Sequence, residues 1–106
     1  MNNEQKLILF FVVGMLGLSA HHVIMHENVH QIIFEHYDIE SEISYGMEGG
    51  SCTAVIPSNM SIDDYREMNI LHTWNELTGY NMITLCLSIL FGSFVIAMAI
   101  MLRGGE

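Results

Sequence analysis

A chain of 106 residues with 51% apolar residues and a single proline is one domain at most, and it is too apolar to be disordered. Three basic residues against twelve acidic ones give a net charge of −9. Such a surplus repels phosphates, which argues against nucleic acid or an anionic lipid surface as an electrostatic partner.

The first predicted element is a membrane span. Leu7 to Ala20 is free of charge, and the run continues through His21, His22, Val23, Ile24 and Met25 without a helix breaker. A span over about 6–25 is long enough to cross the hydrocarbon core. Leu18-Ser19-Ala20 could pass for a signal-peptide cleavage site, but Lys6 alone is a meagre basic region ahead of it, so an uncleaved anchor is expected. From Val23 to Tyr37 there is no glycine or proline, and Val29, Ile32, Ile33 and Phe34 carry apolar bulk through it. The span is therefore expected to continue as one helix to about residue 37. At 1.5 Å per residue, Leu7 to His30 rises about 35 Å against a hydrocarbon thickness of about 30 Å. His26 to His30 then falls at the water boundary or just inside it.

An insert over 38–79 follows. Ile39 to Tyr45 alternates weakly, Gly46 to Gly50 breaks the chain, and Thr53 to Ile56 is β-branched and apolar, which together predict a small β-hairpin closed off by Pro57. Ser61-Ile62-Asp63-Asp64 supplies a helix start. Tyr65, Met68, Leu71, Trp74 and Leu77 fit the apolar face of the helix that follows, which either ends at Gly79 or runs on into the next span. Met82 to Leu102 is again uncharged, so the second span is placed at about 80–102. The expected fold is a mainly α membrane protein. It is an antiparallel transmembrane helical hairpin whose insert holds a small β-hairpin and a further helix, all forming a single membrane domain over 1–106.

Charge is concentrated between the spans. Ten of the twelve acidic residues lie in the stretch from Met25 to Gly79, with Arg66 as its one base, whereas Lys6 and Arg103 flank the outer ends of the spans. The positive-inside bias then puts both termini in the cytoplasm and the insert on the outer side. Cys52 falls in the insert and Cys86 inside the second span, so the two are not expected to pair.

The chemistry is concentrated in His26-Glu27-Asn28-Val29-His30. On a helix, His26 and His30 are one turn apart on the same face, so two imidazole nitrogens can converge on one Zn²⁺. Glu27 projects about 100° around the helix, where it reaches a water on the metal rather than the metal itself. A histidine and glutamate cluster is costly at a membrane boundary unless it is paired or coordinated. His22 continues the same stripe one turn earlier but lies deeper, and His36 is expected to be solvated. A catalytic zinc site needs a third protein ligand and an open position for water. His72, Glu76 and Tyr80 succeed one another at intervals of four, so they form a polar face on the helix that returns beside the first, and either His72 or Glu76 can complete the set. The competing reading makes Trp74 and Tyr80 interfacial anchors and His72 and Glu76 an ordinary i, i+4 pair.

The His26-Glu27-Asn28-Val29-His30 motif followed downstream by Asn75-Glu76 resembles the gluzincins, the thermolysin-like class of zinc metallopeptidases. The chain is also similar to intramembrane HExxH peptidases in carrying the motif on a membrane helix. The gluzincin resemblance implies His26, His30 and Glu76 as zinc ligands, Glu27 as general base, and a nearby histidine or tyrosine, His72 or Tyr80, that steadies the oxyanion. It also implies a small sheet whose edge holds an extended peptide, a role that residues 39–56 can fill. The expected function is a membrane-anchored zinc peptidase acting on a peptide or membrane-protein substrate. The alternatives are a non-catalytic metal-binding module, a sensor or carrier, or a small structural subunit of the membrane. A bis-histidine haem between the spans would need two chains, since the second span has no histidine. A chain this small has little wall with which to enclose a pocket, which leaves room for a homo-oligomer that completes it.

Overall fold

The computed structural model describes residues 1–104. Helix α1 runs over Asn3–His36, strands β1 and β2 over Ser41–Gly46 and Gly49–Ala54, and helix α2 over Ile62–Gly104. The protein is thus mainly helical, with two long apolar helices and a two-stranded antiparallel sheet between them in sequence.

Each helix begins and ends for a local reason. The Asn2 side chain accepts from the Gln5 backbone N–H at 2.8 Å while the Gln5 side chain accepts from the Asn2 N–H at 3.0 Å, a reciprocal box that satisfies two otherwise unpaired donors. At the other end Asp38 takes a positive φ of 57°. The Ile39 N–H reaches back to the Phe34 carbonyl and the Asp38 N–H to that of Glu35, each at 3.0 Å. This is the Schellman closure, here with aspartate where glycine is usual, and Ile39 belongs to the small apolar cluster against which Phe34 packs. Helix α2 starts as its sequence predicts, with the Ser61 hydroxyl accepting from the Asp64 N–H at 3.1 Å. It then passes through Gly79 unbroken. A single glycine costs a helix only about 1 kcal/mol, which neighbouring turns easily absorb.

The hairpin is shifted from its expected position. The second strand begins in the glycines: Gly46 pairs with Gly49 around Met47-Glu48, and the register continues through Tyr45 with Gly50 and Ile43 with Cys52 to Ser41 with Ala54. Gly49 has a φ of 122°, a conformation that side chains rarely tolerate. Val55 and Ile56 lie beyond the strand, and Val55 is exposed. In β2 one face, carrying Gly50, Cys52 and Ala54, is partly covered, as a strand with one buried face requires.

Two compact units emerge. One contains Met1–Ala20 and the chain from Asn81 onward. In it Phe11 stacks on Phe94 at 4.4 Å and tilts against Phe91 at 6.2 Å, while Gly14 lies against Leu90. Residues 11 and 14 thus meet 94 and 90, so the two segments run antiparallel. Helices α1 and α2 are long and apolar enough to cross a membrane. Phe10, Leu16, Ile96 and Ile100 are each more than 60% exposed. A soluble protein would bury these side chains against itself, so they mark surface suited to lipid.

The other unit is His21–Tyr80. Its small core is Ile33, Ile39 and Met68, packed with Val29, Phe34, Tyr37, Ala54 and Met60. Of the expected apolar face of the insert helix, Met68 is buried, whereas Tyr65, Leu71, Trp74 and Leu77 are exposed. The face turned inward is instead the polar one that carries His72 and Glu76. Apolar residues turned outward and polar ones turned toward α1 reverse the usual arrangement, and a rule broken in this way is typical of a functional site.

Candidate metal centre

Helix α1 presents His26 and His30 one turn apart, with ring centroids 4.7 Å from each other. Helix α2 brings Glu76 to both of them. Glu76 Oε1 lies 2.8 Å from His30 Nε2 and 3.2 Å from His26 Nε2, and the two Nε2 atoms are 3.2 Å apart. His26, His30 and Glu76 form a group able to hold a metal ion. Partial burial raises the Glu76 pKa, but hydrogen bonds from His30 and His26 and their charge outweigh it, leaving the carboxyl below its ordinary range.

Three contacts hold α2 in this register within the unit. The Asn75 side chain donates to the His26 backbone carbonyl at 3.1 Å, so the residue before Glu76 ties the two helices together. Gly79 removes an obstacle: a Cβ there would stand 2.7 Å from His26 Nδ1 and 3.2 Å from His22 Cε1. His72 Nδ1 lies 2.6 Å from His30 Nδ1, and Phe34 packs against the His72 ring at 4.5 Å. Burial and the neighbouring His30 ring push the His72 pKa below the usual histidine range, against an opposing pull from Glu76.

Glu27 is 7% exposed, and its carboxylate makes no hydrogen bond or ion pair among the described residues. It is enclosed by the hairpin, because a Cβ on Gly50 would come within 2.7 Å of Glu27 Cγ and 3.0 Å of Val23 Cγ1. Only a glycine lets the strand pass this close. Glu27, His30, His72 and Glu76 line a cavity of about 340 Å³ together with Phe34, Gly50, Ser51 and Cys52. A larger groove of about 950 Å³ at the base of the hairpin, between Gln31 and Pro57, holds none of the candidate ligands. The smaller cavity is the one that the candidate residues line.

The remaining candidates fall around this group. Tyr80 stands beside it, its ring 6.4 Å from that of His26. His22 tilts against His26 at 5.6 Å but lies outside the ligand set. His36 is exposed and in edge contact with Tyr37. Both cysteines are free thiols. Asn75, Gly50, Gly79 and Cys52 had no site role in the sequence reading. The one available signal was that Asn75 precedes Glu76 in the NE pair, whereas a glycine reveals close approach only once its neighbour is known.

Comparison of the chain with protein-family models, with characterised proteins and with solved structures finds no match.

Proposed function

We propose that this protein is a membrane-anchored zinc peptidase, with His26, His30 and Glu76 as metal ligands and Glu27 as general base. The observation that carries the reading is the triangle of donor atoms, with sides of 2.8, 3.2 and 3.2 Å. Ligand atoms about 2.0–2.1 Å from a tetrahedral zinc lie roughly 3.3 Å from one another. Hydrogen bonding explains the triangle less well. Two N–H groups aimed at one carboxylate oxygen crowd each other, and two facing lone pairs repel, whereas a cation between the three atoms removes both problems.

A Zn²⁺ held by two histidines and a carboxylate supplies a Lewis acid and acidifies water that enters its open position. The chain's own groups would do the rest. Glu27 would take a proton from the attacking water and return it to the leaving amine. Tyr80 is suited to donate to the developing oxyanion from beside His26. A peptide lying extended along β2 would pass Gly50 and Ser51 next to Glu27. These roles agree with the gluzincin resemblance of the two motifs.

Zinc analysis of the detergent-purified protein tests the reading. About one ion per chain is expected for a three-ligand site, and none in a His26→Ala, His30→Ala variant of unchanged helical content. A metal-free wild-type protein sinks the proposal. Zinc binding without hydrolysis of mixed fluorogenic peptides, in detergent or in vesicles, would favour a sensor or carrier.

The charge flanks further support cytoplasmic termini and an outward insert. Cys52 is expected to react with a membrane-impermeant maleimide in intact cells, and Cys86 to stay unmodified. Labelling of Cys52 only after lysis reverses the orientation.

A further inference from the structure

The two candidate histidine ligands are supported differently. His26 Nδ1 is buried without a hydrogen-bond partner and faces Gly79. His30 Nδ1 instead lies 2.6 Å from His72 Nδ1. At that distance one nitrogen must carry the proton and the other a lone pair, since two N–H groups or two lone pairs would repel. The other nitrogen of His30, Nε2, faces His26 Nε2 and Glu76 Oε1. If Nε2 gives its lone pair to a metal, the neutral ring must carry its proton on Nδ1. His30 is then the donor and His72 the acceptor, which places the proton of His72 on its Nε2.

We infer that His72 is a positioning residue, the hydrogen-bond acceptor that fixes the tautomer and ring angle of His30 for metal binding, rather than a ligand or an oxyanion donor. The inference rests on the zinc reading above. His72 meets His30 on the nitrogen turned away from the ligand triangle, and it is not a member of the group whose donor atoms converge. The Phe34 ring against His72 holds the acceptor in place, so the bond depends little on side-chain freedom. Outer partners of this kind usually raise metal affinity by about 10–100-fold.

The test compares His72→Leu with His72→Asn. Leucine keeps apolar bulk against Phe34 but offers no acceptor, and asparagine can set its Oδ1 near the position of the lost Nδ1. Zinc affinity is measured by competition with a chromophoric chelator, and the visible bands of the Co²⁺-loaded protein report ligand geometry. Helical content by circular dichroism confirms that each variant is folded. The expected result is a roughly 10–100-fold loss of zinc affinity and altered Co²⁺ bands in His72→Leu, with both largely restored in His72→Asn. Equal affinity of His72→Leu and wild type overturns the inference while leaving the zinc reading intact. So does an equal loss in both variants, which would mark a packing role, or a complete loss in both, which would make His72 a ligand. Absence of zinc from the wild-type protein overturns both readings together.

Discussion

Glu27→Gln is expected to keep about one zinc per chain while lowering peptide turnover by about 10²–10⁴-fold, the usual contribution of a positioned general base. The amide fills the same space, which matters because the Gly50 backbone passes close against the Glu27 side chain. What it cannot do is accept a proton from water. Because the base acts in the transition state, the loss should appear in kcat with KM little changed. Glu27 lines the cavity and makes no hydrogen bond or ion pair among the described residues, so removing its charge should not unfold the protein. Zinc content and turnover measured on one preparation separate the alternatives. If zinc is lost, the carboxylate is a ligand. Unaltered turnover would mean that the proton goes elsewhere.

What could be read in advance depended on the range of the physics involved. The uncharged runs before Ala20 and after Met82 reveal two helices able to cross a membrane, because hydrocarbon imposes its requirement residue by residue. Helical periodicity sets His26 and His30 on one face, and the Ser61 cap is local. The hairpin was harder. Its turn lies at Met47-Glu48, where the pairing of Gly46 with Gly49 decides the register, and a glycine-rich segment gives periodicity nothing to report. Asp38 ends α1 in a left-handed conformation for which glycine is the usual signal. The interval of four between His72, Glu76 and Tyr80 already marks a polar face on the helix that returns beside α1, and His72 and Glu76 do face α1 while the stripe of Tyr65, Leu71, Trp74 and Leu77 is outside. Spacing still leaves His72 and Glu76 equivalent, as residues one turn apart. Distances of a few ångströms, set by the Asn75 clamp and the Gly79 contact, separate them, and no pattern within one helix encodes a distance to another.

Replacing Glu76 by alanine should abolish stoichiometric zinc binding, a larger loss than the roughly 10–100-fold expected of an outer partner. Glu76 Oε1 is the vertex that touches both imidazoles. Without it the two histidines of α1 are left as a two-donor site, one short of the three protein ligands that a catalytic zinc site needs. Glu76→Asp should lose most of the affinity too, because its carboxylate is one methylene shorter while Asn75 and Gly79 hold the α2 backbone at its present distance from His26. Glu76→Gln keeps an oxygen in place but gives up the charge, so it should lie between the two. Thermal unfolding in detergent provides an independent check. A ligand that binds the folded protein alone stabilises it by about 4 kcal/mol at 1,000 times its Kd, so zinc should raise the Tm of wild type and leave that of Glu76→Ala unchanged. The variant should also remain folded without metal, since the Ile33, Ile39 and Met68 core and the Asn75 hydrogen bond do not involve the carboxylate. Wild-type zinc affinity in Glu76→Ala would break the assignment of the third ligand and leave the His26-Glu27-Asn28-Val29-His30 helix to find its partner elsewhere.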